Sequence, residues 1–303
     1  MTVHPDDLLV LLAVSRSGRF TTAAHDLGLN HTTVARRIAA LEDGLGGRAL
    51  TRGGSGWVLT PLGERAVTAA EQVEVALAPF TEPLDRGLSG LIRLSATDGF
   101  SGFIASAAMA ALRRRHPGVT LEVITGTRQA SQQRVGADLE VVVGRPQVRR
   151  AEAVQLGEYV LGLYASREYL RREGVPAMRA DLAGEPLIYF IESMLQVDAL
   201  DDARRAVPAM VDAVASTNVY VHVEATRGGA GFGLLPAFLA DPHDDLVRLL
   251  PDEVEARLPY WLVARAEALR RPAVAAFVDA LRTRMREVEP QLLGREADRV
   301  RTR

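Results

Sequence analysis

Asn30-His31-Thr32-Thr33 followed by Arg36-Arg37 gathers amide, imidazole, hydroxyl and guanidinium groups at helical spacing. The chemistry such a set can do is hydrogen bonding to base edges. An arginine forks onto guanine, and a threonine bonds a base edge or touches a thymine methyl. Arg48 and Arg52 follow within reach of phosphate oxygens, contacts that fix register without reading sequence. Taken alone, Arg36 and Arg37 also fit an ordinary solvated helix face, so the reading depends on the elements that would position them.

Asn30 suits an N-cap, which places the helix start at His31. Val34, Ile38, Leu41 and Leu45 then share one apolar stripe, with Thr32, Arg36 and Ala39 opposite and Thr33 to one side. A helix with a small, polar, cationic outer face suits insertion into a major groove. Upstream, Phe20, Ala23, Ala24 and Leu27 have the spacing of a short helix that Gly28 stops, and Leu8, Leu9, Leu11 and Leu12 line a first helix covering the pair. Downstream, Thr51 to Thr60 has a glycine-rich turn between short extended segments, a wing. The reading is a winged helix-turn-helix over residues 1–60.

The stretch resembles the DNA-binding domain of LysR-type transcriptional regulators. The resemblance rests on Arg19-Phe20-Thr21-Thr22-Ala23-Ala24, Leu27-Gly28-Leu29, Val34 to Ile38, Leu41-Glu42 with Leu45-Gly46, and Leu59-Thr60-Pro61-Leu62-Gly63-Glu64. It implies DNA contacts by Thr21, Asn30, His31, Thr32, Thr33, Arg36, Arg37, Arg48 and Arg52. Asn30, His31 and Ala35 depart from the serine, glutamine and serine usual in the family, and Arg48-Ala49-Leu50-Thr51-Arg52 lacks its aromatic. These departures bear on operator sequence, not on DNA binding.

Residues 61–90 read as a linker helix and hinge. Thr60 caps, Pro61 fits the first helical position and Glu64 complements the helix N-terminus. Leu62, Ala66, Ala69, Val73 and Leu77, continuing to Phe80 and Leu84, approach a heptad seam. The first five are the expected dimerisation residues; packing of the helix on its own domain is the alternative. Pro79 and Pro83 predict a kink or stop near Ala78.

From Leu91 the pattern turns to alternating strands and helices, predicting an α/β effector-binding domain over 91–303. Strands at Leu91 to Ala96, Val119 to Ile124 and Leu139 to Val143 enclose helices at Ser101 to Arg115 and Gln129 to Val135. That order implies a parallel sheet with right-handed crossovers. Tyr159 to Tyr164 crosses into a second unit. There, strands at Pro186 to Ile191, Met210 to Val214 and Phe232 to Leu235 alternate with helices around Ala199 to Val207 and Asn218 to Arg227. Leu258 to Ala264 returns the chain, and a helix from Ala273 to Arg286 completes the first unit. Lobe I is thus 91–161 with 265–303, and lobe II is 162–264. The layout resembles the family's effector domain, itself similar to periplasmic binding proteins.

Ligands in parallel sheets sit beyond the carboxyl ends of strands. That rule selects Thr97, Asp98, Gly99 and Phe100, then Thr125, Gly126 and Thr127, and from lobe II Glu192, Ser193, Met194, Ser216, Thr217 and Asn218. Arg128 and Arg145 lie near the same rim. Thr97, Asp98, Thr217 and Asn218 serve equally well as helix caps. Gly228 to Gly233 runs from helix to strand, opposite in sense to a dinucleotide loop.

The chain has 303 residues, net charge −2, no cysteine and 36 basic residues that are all arginine. Absent cysteine excludes disulfides and thiolate metal sites, the histidines are scattered, and neither metal nor cofactor is expected. No apolar run reaches membrane length and no signal peptide is apparent, so a cytoplasmic protein is expected. Residues 1–60 carry six arginines against five acids, so placement on particular faces, not net charge, points to nucleic acid.

The function expected is a sequence-specific regulator, not an enzyme. It would bind a near-palindromic DNA site as a homodimer or tetramer, contact RNA polymerase, and respond to a small molecule between two lobes. The alternative is a cytoplasmic small-molecule-binding protein or enzyme using the cleft, which leaves the first 60 residues without a role.

Overall fold

The computed structural model describes residues 3–53, 56–81, 87–126, 137–148, 151–192 and 197–295. In the N-terminal unit, α1 (Pro5–Ser17) begins with Pro5 and two acids in its first turn, and Gly18 ends it at φ 67° with its amide bonded to the Val14 carbonyl. Then come α2 (Phe20–Asp26) and α3 (His31–Leu45), the latter capped by Asn30, whose side chain accepts from the Thr33 amide at 2.7 Å. Val34, Ile38 and Leu41 are buried, as the stripe predicts, against Leu8, Leu11, Leu12 and Val14 of α1 and Ala23 and Ala24 of α2.

Strands β1 (Leu50–Gly53) and β2 (Gly56–Leu59) pair antiparallel as the wing. The Trp57 amide bonds the Gly18 carbonyl at 2.9 Å, which pins the wing to the end of α1. A Cβ at Gly56 would lie 2.6 Å from that carbonyl oxygen, so only glycine permits the approach.

Helix α4 (Pro61–Thr81) starts under a Thr60 cap: its hydroxyl accepts from the Gly63 amide at 3.1 Å and donates to the Arg48 carbonyl at 2.6 Å. The helix continues through Pro79 instead of stopping near Ala78. So close to the C-terminal end, the proline deletes little of the hydrogen-bond ladder. The apolar seam is also divided. Ala66, Val67 and Ala70 are buried, and Val73 is partly buried, all against α1 in this chain's own core. Arg65, Ala69, Gln72 and Ala76 form the exposed stripe. Ala66 and Val73 therefore belong to the intrachain core, because α1 offers an apolar face that α4 must cover. Leu84 lies outside the described residues.

The second unit contains β3 (Ser89–Ala96), then α5 (Asp98–Phe100), which passes through a π turn at Ser101–Ala105 into α6 (Ser106–Arg115). β4 (Gly118–Thr125), β5 (Leu139–Val143) and β6 (Glu152–Ser166) follow. Next are α7 (Arg167–Glu173), β7 (Pro186–Phe190), α8 (Asp198–Arg205), β8 (Val211–Ser216), α9 (Val219–Arg227) and β9 (Phe232–Pro236). The chain ends with α10 (Ala237–Ala240), β10 (Leu246–Leu249), β11 (Glu255–Ala264), α11 (Ala266–Leu269), α12 (Pro272–Glu287) and α13 (Glu289–Leu292). The expected helix at Gln129 to Val135 lies outside the described residues.

The strands form one sheet in the order β4-β3-β5-β11-β6-β9-β7-β8, with β10 beside β6. Two parallel arrays, β4-β3-β5 and β9-β7-β8, are thus joined by the long antiparallel pair β6 and β11. These are the crossing segments expected at Tyr159 to Tyr164 and Leu258 to Ala264, each longer than predicted. Their pairing shifts register at Tyr260/Trp261, a bulge that bends the ribbon between the lobes. One apolar core runs through both arrays, with Phe100, Leu139, Leu163, Leu187, Leu235 and Phe277 fully buried.

Candidate functional sites

Helix α3 presents Thr32, Arg36 and Ala39 to solvent directly opposite its buried stripe, with Asn30 and His31 exposed at its start. The Thr32 hydroxyl donates to the Asn30 side chain at 2.7 Å, so cap and recognition face are one hydrogen-bonded unit. Thr21 is exposed on α2, while Thr33 is half-buried. Arg37 turns away from this face toward Asp6 at 3.5 Å and Asp7 at 3.9 Å on α1. That pairing makes it a tie between α1 and α3.

Phe20 stacks on Trp57 with centroids 4.9 Å apart and meets His31 at 5.9 Å, linking α2, the wing and the start of α3. Arg52 lies over the Trp57 ring at 5.6 Å and is exposed, as is Arg48. Glu42 accepts from the amides of Ala49 at 2.9 Å and Leu50 at 3.2 Å and so sets where β1 leaves α3. In the sequence, Glu42 belongs to the Leu41-Glu42 match and has no assigned role. Its signal is a carboxylate directly after the buried Leu41 near the end of the helix, close to strand amides that need an acceptor.

The second site is a cavity of 1130 Å³ between the arrays, at the carboxyl ends of β3, β5, β8 and β9. Of the residues expected there, Thr97, Asp98, Gly99, Arg145 and Thr217 line it. Phe100 instead lies beneath the wall, fully buried edge-on to Tyr260 at 5.0 Å. Thr125 ends β4, at the edge of the sheet, and neither it nor Gly126 just after it reaches the cavity; nor do Glu192 and Ser216, the last residue of β8. Asn218 caps α9, accepting from the Tyr220 amide at 2.9 Å. Thr127, Arg128, Ser193 and Met194 lie outside the described residues.

Sequence reading missed most of the wall. Tyr159 and Leu161 of β6, Tyr260 and Val263 of β11, Val141 and Val143 of β5, and Phe190 at the end of β7 line the cavity. The sequence pattern marks the two crossing strands as connections between the units, and alternate inward-facing residues on them are the signal it carries for the wall. Tyr159 and Tyr260 stack at 4.6 Å, and burial pushes both phenols above their ordinary range. Thr97 bonds Tyr260. The lobes also touch: Tyr220 of α9 packs so closely on Gly102 that a Cβ there would lie 2.1 Å from its hydroxyl.

His222 on α9 is fully buried between Tyr189 and Phe190, with Nε2 3.0 Å from the Ser216 carbonyl and Nδ1 without a hydrogen bond. Burial holds its pKa below the ordinary imidazole value. No group of His, Asp or Glu suited to a metal occurs among the described residues.

Between the sites lies a polar junction. Arg16 of α1 forks onto Glu74 of α4, both bonds at 2.7 Å. Burial works against ionisation of Glu74, but the fork outweighs it and holds the carboxyl below its ordinary range. Glu71, one turn earlier, is half-buried, and burial pushes its carboxyl up; Arg265, which lines the cavity, approaches it at 3.9 Å. Arg271 bonds the Leu91 carbonyl at 2.6 Å and also pairs with Asp138.

A winged helix-turn-helix joined by a helix to a two-lobed α/β unit with an interlobe cavity defines a ligand-responsive DNA-binding protein. Residues 5–64 match the model described as "Bacterial regulatory helix-turn-helix protein, lysR family", and residues 85–286 match the "LysR substrate binding domain". The chain belongs to the LysR-type transcriptional regulators, with a helix-turn-helix DNA-binding domain and an effector-binding domain; members of this family are regulators and form oligomers. It is 29% identical over 296 residues to the probable HTH-type transcriptional regulator LrrA of Synechococcus elongatus, covering 93% of this chain and 97% of the relative. A full-length OxyR variant from Pseudomonas aeruginosa superposes with TM-score 0.72 at 18% identity, covering 93% of this chain and 95% of the other. Full-length LysG from Corynebacterium glutamicum with bound effector Arg gives 0.65 at 21%, covering 94% and 99%. Among the described residues, no helix is long and apolar enough to cross a membrane.

Proposed function

We propose that this regulator acts as a dimer, or a tetramer built from dimers, that sets α3 of paired protomers into successive major grooves of a near-palindromic promoter site. Arg36 with Thr32 reads bases, while Thr21, Asn30, His31, Thr33, Arg48 and Arg52 hold the backbone. The observation that carries this is the exposed Thr32-Arg36-Ala39 face opposite a fully buried stripe, flanked by an arginine-bearing wing. Arg37 has a smaller part, since Asp6 and Asp7 already engage it.

Protomers pair through the exposed α4 stripe of Arg65, Ala69, Gln72 and Ala76, whose small alanines permit close helix approach. A small molecule in the cavity biases the relative placement of the DNA-binding domains. The shift cannot exceed the ligand's preference between the two arrangements. A changed placement would alter promoter geometry and contact with RNA polymerase, in the cytoplasm where transcription takes place.

The test is a footprint of the full-length protein on DNA flanking its own gene at two salt concentrations. The expected result is protection of a discrete near-palindrome that persists at the higher salt. Diffuse protection that vanishes with salt overturns sequence-specific reading at that locus, because nonspecific binding is almost wholly counterion release.

A further inference from the structure

We propose that the effector is an amphiphilic cation: an amine or guanidine that Asp98 receives, carried on an apolar body packed against Tyr159, Phe190 and Tyr260. This rests on the reading that the cavity is the effector site.

The wall argues for the apolar body. Val141, Val143, Tyr159, Leu161, Phe190 and Tyr260 cover the sheet side of the cavity, and aromatic rings bring large apolar area with little conformational freedom to lose. Tyr159, Tyr260 and Thr97 are already engaged by stacking or by the Thr97 to Tyr260 bond. They therefore form a preset surface.

The charges argue for the cation. Among the described residues, five acidic or basic side chains, Asp98, Arg145, Asp198, Asp202 and Arg265, line the cavity. Both arginines are exposed; Arg145 lies over the Trp261 ring at 5.7 Å, and Arg265 is drawn outward toward Glu71. Asp202 is exposed and pairs with Arg205 at 2.6 Å, and Asp198 stands exposed at the rim. Asp98 differs from all of these. It is half-buried at the start of α5, lines the cavity, and its carboxylate makes no hydrogen bond or ion pair among the described residues. Thr97, the residue before it, supplies no side-chain cap to the helix either.

Its near neighbours from the other lobe are Tyr220 and His222, both of α9. Neither carries a positive charge at neutral pH. A carboxylate taken partly out of water needs a partner, and the cavity is the side from which one can come. A ligand anion placed at Asp98 would meet like charge in a low-dielectric site. The inner end of the cavity thus selects cations, and the exposed arginines at the mouth are left to other duties.

Three probes with the same body and different heads test this on the full-length protein: phenethylamine, hydrocinnamate and phenethyl alcohol, by calorimetric titration and thermal shift. The amine is expected to bind and raise Tm, with the alcohol at least tenfold weaker and the acid silent. Asp98→Asn is expected to weaken the amine at least tenfold while leaving the alcohol unchanged; Asp98→Ser is the second variant should the first fail to fold. Ala199→Trp, which narrows the cavity from α8, should weaken every probe that binds there.

Acid binding as tight as amine binding, lost in Ala199→Trp, overturns the cation assignment and leaves the cavity reading standing. Amine binding that neither Asp98 variant weakens but Ala199→Trp abolishes does the same. Amine binding indifferent to Ala199→Trp as well, or no binding by any probe, overturns both.

Discussion

Arg36 and His222 show how differently two residues of similar polarity are used. Arg36 is exposed and has no partner among the described residues, on a helix whose opposite face is locked in the core. Arg36→Ala is expected to lower specific operator affinity by roughly 5- to 150-fold, the cost of about 1–3 kcal/mol for a lost bidentate base contact, with the oligomer unchanged. Retained affinity in a filter-binding titration removes Arg36 from the interface. His222 is sealed among aromatic rings with its pKa depressed by burial. The native state therefore prefers the neutral ring, and its contribution is complete above the unfolded value of about 6.5. As pH falls below that value, the unfolded chain takes up a proton that the folded chain refuses, and stability drops by up to about 1.4 kcal/mol per pH unit until the depressed native pKa is reached. Urea melts from pH 7.5 to 5.5 should show this slope in the wild type and lose it in His222→Phe. A slope unaltered by that substitution assigns the acid sensitivity elsewhere.

At the scale of elements, α4 is where the sequence pattern and the packing diverge. Leu62, Ala66, Ala69, Val73 and Leu77 have heptad-like spacing, yet a single stripe cannot serve both α1 and a second protomer. The structure gives Ala66 and Val73 to α1, with Val67 and Ala70 beside them, and leaves Ala69, Gln72 and Ala76 outside. Val73→Asp is accordingly expected to lower Tm, because it puts a charge against the N-terminal core. Ala69→Arg should halve the mass in light scattering while Tm of the monomeric unit is kept. The reverse pattern, a stable monomer from Val73→Asp and an intact dimer from Ala69→Arg, returns the seam to the original stripe. Periodicity could not separate these outcomes, since it marks an apolar face without saying which neighbour covers it.

Across the whole molecule, the cavity and α4 meet at Arg265, which lines the one and approaches Glu71 on the other. A pair at 3.9 Å between the exposed Arg265 and the half-buried Glu71 is a weaker join than a bonded fork; about 0.2–1 kcal/mol is typical of pairs open to solvent on one side. Arg265→Ala is therefore expected to shift the operator affinity of the ligand-free protein by no more than about fivefold, a change corresponding to that range, with the footprint boundaries kept. An affinity indistinguishable from wild type shows that this contact does not bias the DNA-binding domains. The neighbouring Arg16 and Glu74 fork, with two bonds of 2.7 Å, is the firmer join and ties α1 to α4 whatever the cavity holds.

The sequence by itself determined what local rules can decide. Asn30 and Thr60 cap the helices they were expected to cap, Val34, Ile38 and Leu41 face inward, and β5 begins and ends where its apolar run does. Capping and periodicity are properties of a few adjacent residues, so they are legible before folding. Tertiary structure decided everything that depends on which surfaces meet. It merged two strand arrays through β6 and β11 and brought Tyr159 and Tyr260, about a hundred residues apart in sequence, into one stacked cavity wall. It turned Arg37 toward Asp6 while leaving Arg36 exposed on the face opposite the buried stripe. Adjacent arginines have the same chemistry and propensity; only the position of α1 distinguishes them, and that position follows from packing the whole N-terminal core.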